Sequence, residues 1–224
     1  MTDGDFPGLT DIHAHPAMNA FLWDRDLRKH YFTSNTFCPI ASLTDFKMLE
    51  KGEIKVLWSS LHVPEPNYFH APPLWLAAHL TKGGRNLLKG DAWASLLLQM
   101  QEMEKQVERT SRFEIARSNA DLDRIREEDK TAIVQTVEGG HALGGAKVPI
   151  AKRLEHLDEL AKKGVASLTL AHLFPNDLAG HVDAIPAEEH KILVWRLDPE
   201  VDLKKGLTPE GKQVVERMFE NKMI

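Results

Sequence analysis

The sequence predicts an α/β fold built on a parallel sheet. Three observations carry this. Short apolar runs alternate with stretches of helical periodicity. Those runs are rich in β-branched residues, as strands buried on both faces should be. Loops rich in Pro and Gly (residues 63–73 and 173–186) follow strand ends.

Four runs read as strands: residues 9–15, 54–63, 131–138 and 165–172. The first, led in by Gly8-Leu9 and closed by Pro16, reads as one short buried strand. Ile54-Lys55-Val56-Leu57-Trp58, Ala132-Ile133-Val134-Gln135-Thr136-Val137 and Val165-Ala166-Ser167-Leu168-Thr169-Leu170 follow the same logic. Between them, Asp91 caps a long predicted helix reaching about Arg117, with Trp93, Leu96, Leu97, Met100, Met103 and Val107 at helical spacing. A second helix spans 150–163, with Leu154, Leu157 and Leu160 inward and Gly164 as its stop. A third starts at Thr208-Pro209, Thr208 as N-cap and Pro209 in the first turn, and carries Val214, Val215, Met218 and Phe219. No repeat or linker interrupts the chain, so residues 1–224 read as one domain.

Composition narrows the function. The 224 residues are 42% hydrophobic and 27% charged, in the range of a globular domain with a real core. A net charge of -5 and the absence of any basic run argue against a nucleic-acid partner. No apolar window is long enough to span a membrane, and the acidic N-terminus is unlike a signal peptide. The single Cys38, followed by Pro39 and with no evident base, reads as a structural thiol in a reducing cytoplasm.

The chemistry-bearing residues fall at the predicted strand ends. In a strand, side chains two apart share a face, so His13 and His15 lie side by side and form half of a metal site. Glu138 closes the third run and His172 the fourth. If the strands are parallel neighbours, these groups converge on the mouth where a (β/α) barrel keeps its chemistry. Two imidazoles and a carboxylate suit Zn²⁺ or another divalent ion with a position left open for water, and a Glu can also bridge two ions. Gly139-Gly140 clears side chains from where substrate or metal meets the backbone. His62, at the second strand end, faces the same mouth, and His141 shapes the substrate loop. Lys82-Gly83-Gly84-Arg85 is too short for a phosphate loop.

With these motifs the chain resembles the membrane (renal) dipeptidase family of binuclear zinc peptidases, in the amidohydrolase-type barrel superfamily. The resemblance runs through Asp11-Ile12-His13-Ala14-His15-Pro16 and Val137-Glu138-Gly139-Gly140-His141-Ala142-Leu143. It continues through residues 154–160 and 164–172 to Gly206-Leu207-Thr208-Pro209-Glu210-Gly211. It implies a (β/α)8 TIM-barrel fold, one or two Zn²⁺ ions and hydrolysis of a dipeptide-like small molecule. His13 and His15 would hold metal, with Glu138 as bridging and catalytic carboxylate. His172 would bind substrate and stabilise the tetrahedral intermediate, and His141 would be a further substrate contact. The resemblance also marks departures. His15 stands where the family has Asp, and Asn176 alone remains of an Asn-rich loop.

The family's next strand, with the second zinc's His ligands, a substrate-binding Arg and a catalytic Asp, would begin after Lys222-Met223-Ile224. A full barrel takes about 250 residues, so only about four βα units are expected here. That makes the domain incomplete at its C-terminus, or completed by association with a second copy. The activities to weigh are therefore the dipeptidase, another amidohydrolase-type reaction (lactonase, phosphoesterase or deaminase), and a catalytically inactive fragment.

Overall fold

The computed structural model describes residues 8–31, 44–65, 72–172, 176–180 and 206–224. Cys38 and most of the loops 63–73 and 173–186 lie outside them. The chain divides into two compact units, Met1–Leu61 with Leu98–Thr136 and His62–Leu97 with Val137–Ile224.

The sheet has strands β1 (Leu9–Ala14), β2 (Ile54–His62), β3 (Phe113–Ala116) and β4 (Thr131–Glu138) in order β1-β2-β4-β3; the first unit holds them except for the last residue of β2 and the last two of β4, which belong to the second. β1 runs parallel to β2, and β3 parallel to β4, with Phe113 opposite Thr131 and Ala116 opposite Val134. The Thr131 hydroxyl donates to the Ile54 carbonyl at 2.9 Å, tying β4 to β2. Every residue of β4 is buried, as its unbroken apolar run requires. β1 is different: it is mostly exposed, Ile12 at 71%, and among the described residues it pairs with β2 alone. The expectation of a buried first strand is thereby corrected.

Helices α1 (Pro16–Trp23), α2 (Phe46–Lys51) and α6 (Asn119–Glu127) belong to this unit, with the second half of α5 (Ala92–Glu108). Asp45 caps α2 by accepting the Met48 N–H, and Ser118 caps α6 by accepting the Asp121 N–H. The core gathers Leu57, Leu61, Met103, Ile125 and Ile133, with the Phe46 and Phe113 rings stacked at 4.1 Å. The long predicted helix ends at Glu108, not near Arg117. Thr110 and Ser111 break it, and Phe113 and Ile115 alternate inward as β3. The structure therefore has five strands among the described residues rather than four.

The second unit contains α3 (Pro72–Leu80), α4 (Lys82–Leu87), the start of α5, α7 (Ile150–Lys162), β5 (Ser167–Thr169) and α8 (Pro209–Glu220). Lys82-Gly83-Gly84-Arg85 is the start of α4, capped by Thr81, and not a phosphate loop. Asp91 starts α5 by accepting the Ala94 N–H, and Leu96, Met100, Met103 and Val107 line its buried face. α7 buries Leu157 and Leu160 and stops where Gly164 takes φ +83, a left-handed turn that favours glycine.

Thr208 caps α8 as its sequence predicts, accepting the Gly211 N–H at 3.0 Å. Val214 and Met218 are buried, while Val215 and Phe219 are exposed. Arg217 and Asn221 each reach Asp158 of α7 at 2.7 Å. β5 pairs with β4, and the ladder continues as the Gly139 and Gly140 N–H groups donate to Thr169 and Leu170 carbonyls at 2.9 Å. On the other edge of β5, Ile224 exchanges two 2.9 Å backbone hydrogen bonds with Ala166 and Leu168. The fold is α/β on a parallel sheet, part of a (β/α) barrel. Among the described residues, no helix is long and apolar enough to cross a membrane.

Candidate metal centre

In the first unit, β1 brings His13 and His15 together. Their rings meet edge to face with centroids 4.8 Å apart, His13 exposed and His15 half-buried. His15 lies one residue beyond the strand, as the N-cap of α1, so the pair straddles the strand end. His15 Nδ1 is 3.1 Å from the Ser60 carbonyl. A carbonyl only accepts, so in the neutral ring Nδ1 carries the proton and Nε2 the lone pair. Metal-binding histidines are commonly held this way.

The second unit assembles a denser group at the ends of β2 and β4. Glu138, the last residue of β4, is buried. His172 Nε2 lies 3.2 Å from its Oε1, and His62 Nδ1 lies 3.9 Å from its Oε2. The His62 and His172 rings are 4.6 Å apart. His172 does not close a strand as expected. β5 is only three residues long, and His172 sits in the bend after it.

His62 Nδ1 also approaches the Glu138 backbone carbonyl at 3.4 Å, which again assigns the proton to Nδ1. Its Nε2 then faces Glu65 Oε2 at 3.8 Å. His141, in the 3-10 turn Gly140–Leu143, donates Nε2–H to the Val63 carbonyl at 2.6 Å and turns Nδ1 toward Glu65 Oε1 at 3.9 Å. Burial pushes the His141 pKa down, which keeps the ring neutral. Burial, reinforced by the Glu138 charge, pushes Glu65 up to about 7. His62, Glu65 and His172 each present a ligand atom, all within 4.8 Å of one another. Two imidazoles and a carboxylate are a donor set that fits a zinc-class divalent ion.

The two glycines after Glu138 act differently from expectation. Gly139 adopts φ +96, and a Cβ there would collide with His141 Cε1; a Cβ on Gly140 would lie 2.6 Å from Leu178 Cδ1. They make room for the chain's own His141 ring and Leu178. Asn176 is likewise committed to the fold, donating to the Leu170 carbonyl at 2.6 Å and accepting from the Leu178 N–H at 2.9 Å. Beside His141 opens a cleft of about 180 Å³ whose walls include Val63, Pro64, Leu87, Leu88 and Ser95.

Sequence reasoning missed Glu65. It follows His62 by three residues just past a strand end, between Pro64 and Pro66, and that position was the available signal.

No curated protein matches the chain. Among solved structures, it is similar to a metallo peptidase from Rhodobacter sphaeroides liganded with a phosphinate mimic of the dipeptide L-Ala-D-Ala. That match has TM-score 0.62 and 14% identity, covering 97% of this chain and 57% of that one. It is similar to dipeptidase AC, a metallo peptidase of family M19, with TM-score 0.62 and 16% identity, covering 97% and 56%. The probable dipeptidase PvdM from Pseudomonas aeruginosa gives TM-score 0.53 and 21% identity, covering 84% and 40%. The chain thus spans just over half the length of the first two structures. These likenesses bear on the fold. The family itself follows from the sequence match over residues 10–224: the chain belongs to the membrane dipeptidase family, peptidase family M19.

Proposed function

We propose that the chain carries the metal-binding half of a dipeptide hydrolase, with His13, His15 and Glu138 as metal ligands. One observation carries the reading: a buried carboxylate, Glu138, ends a fully buried parallel strand with His172 at 3.2 Å. That is where a barrel keeps its chemistry. Family membership and the ligand-ready tautomer of His15 support it. When bound, a divalent ion of this class activates water and polarises a carbonyl.

The chain's own residues supply the rest. Glu138 brings negative charge to the ion and orients His172. A ring N–H of His172 serves the carbonyl oxygen as charge develops on it. His141, neutral and with Nε2 committed to Val63, offers Nδ1 as an acceptor to a donor on the substrate, such as a dipeptide amino group. The cleft beside it is sized for one small side chain. Because His15 replaces an anion, the metal site carries less negative charge than the family pattern, which favours softer, nitrogen-preferring ions.

The test is a panel of L,L- and L,D-dipeptides, L-Ala-D-Ala first, assayed for free amino acid after loading with Zn²⁺, Mn²⁺, Fe²⁺ or Co²⁺. Turnover lost in Glu138→Gln is the expected result. Turnover of a lactone, phosphoester or deaminase substrate with none of any dipeptide overturns the dipeptidase reading. No turnover by a stoichiometrically loaded chain makes it an inactive metal-binding fragment.

A further inference from the structure

We propose that His62, Glu65 and His172 form a second divalent-cation site at the C-terminal end of β2. It is distinct from the site of His13 and His15 and takes an ion of the zinc class. His62 and Glu65 lie outside every motif that carries the family resemblance, so this assignment comes from the geometry.

The candidate ligands converge. Their three ligand atoms lie within 4.8 Å of one another. Tetrahedral ligands with bonds of about 2.0–2.1 Å sit about 3.4 Å apart, so side-chain shifts of about an ångström or less close the site. His62 is the last residue of a rigid strand, and Glu65 follows after Val63 and Pro64, which restricts the connecting backbone.

Glu65 points to a cation on separate grounds. Its side chain is 9% exposed, and neither carboxylate oxygen accepts a hydrogen bond from another described residue. The groups that face it are His62 Nε2 at 3.8 Å and His141 Nδ1 at 3.9 Å. In the neutral His141 ring Nε2 donates to the Val63 carbonyl, so Nδ1 presents its lone pair toward Glu65. An acceptor turned on an ionised buried carboxylate repels it, and a cation between the two reverses the sign. Glu138 adds a second buried negative charge nearby. Two ionised carboxylates balance the charge of one divalent ion.

This second site shares one residue with the hydrolase reading: His172 serves the substrate carbonyl while the second site is empty and the ion when it is filled. The experiment is Zn²⁺ and Co²⁺ titration of the full chain, competed against a chromophoric chelator, with bound metal measured by plasma mass spectrometry. Wild type is compared with Glu65→Gln, with His62→Gln and with the double variant His13→Gln/His15→Gln, each checked for folding by circular dichroism. The expected result is two ions in wild type. Glu65→Gln and His62→Gln each weaken one of them by at least about tenfold and change the Co²⁺ visible spectrum. The His13/His15 variant loses only the other.

One ion in wild type, lost only in the His13/His15 variant, overturns this proposal and leaves the hydrolase site standing. One ion lost only in the Glu65 and His62 variants supports it and removes the site of His13 and His15. A wild type that binds no ion overturns both. If either single variant is unfolded, the other decides by the same criterion.

Discussion

His172 Nε2 stands 3.2 Å from Glu138 Oε1, and His62 Nδ1 stands 3.9 Å from the other oxygen of the same carboxylate. A strand-end glutamate is thus held between imidazoles that come from different segments of the second unit. Removing its charge while keeping its shape should weaken metal binding and leave the fold intact. Glu138→Gln is predicted to bind at least about tenfold less metal with an unchanged circular dichroism spectrum. Wild-type metal occupancy in this variant removes Glu138 from the ligand set.

Glu65 gives a pH signature to the metal-free protein. Its folded pKa is raised from 4.5 to about 7. Below 4.5 both folded and unfolded chains hold the proton, and the group has no effect. Between 4.5 and 7 the unfolded chain has ionised while the folded chain keeps its proton, so stability falls as pH rises. The slope from this group approaches about 1.4 kcal/mol per pH unit and levels off above 7. Urea unfolding in chelator across this range should show the fall in wild type and its absence in Glu65→Gln. Equal slopes in the two proteins contradict the assignment.

Gly139 and Gly90 separate backbone strain from crowding. Both have positive φ, +96 and +75, but a Cβ on Gly90 meets nothing within 4 Å, whereas one on Gly139 collides with the His141 ring. Gly90→Ala should cost about 1 kcal/mol. Gly139→Ala should cost about 2–3 kcal/mol and displace His141, which chemical denaturation and the histidine NMR resonances would report. Similar costs at both positions would mean that His141 is not packed against Gly139.

Thr208 both caps α8 and holds a loop. Its Oγ1 accepts the Gly211 N–H at 3.0 Å, and its hydroxyl donates to the Asp177 carbonyl at 2.7 Å. Thr208→Ala should lower stability by about 1–2 kcal/mol, and Thr208→Ser should recover most of it. Failure of the serine to recover stability would assign the loss to the methyl group rather than the hydroxyl.

The strand that carries Glu138 is legible because its end coincides with that residue. Glu138 ends a run of β-branched residues that can only be a buried strand, and Asp91, Gly164 and Thr208 mark helix boundaries by local chemistry. β3 is not legible. Phe113-Glu114-Ile115-Ala116 is four residues long and follows a strong helical period, so its pairing with β4 alone reveals it. The His13–His15 pair is readable from two-residue spacing, although the strand ends before His15. Glu65 is hidden because its surroundings, His62 Nε2 at 3.8 Å and His141 Nδ1 at 3.9 Å, are brought to it by the fold, a relationship that no local pattern encodes. Gly139 looks like space for a ligand because the sequence does not show that His141 folds back over it.

The central prediction is that the His and Glu side chains at the strand ends hold a catalytic-type metal. The most direct measurement is metal content of the purified chain after expression with zinc, manganese, iron or cobalt supplied in turn. At least one equivalent of one of these ions per chain is the predicted result. Sub-stoichiometric content of all four contradicts it.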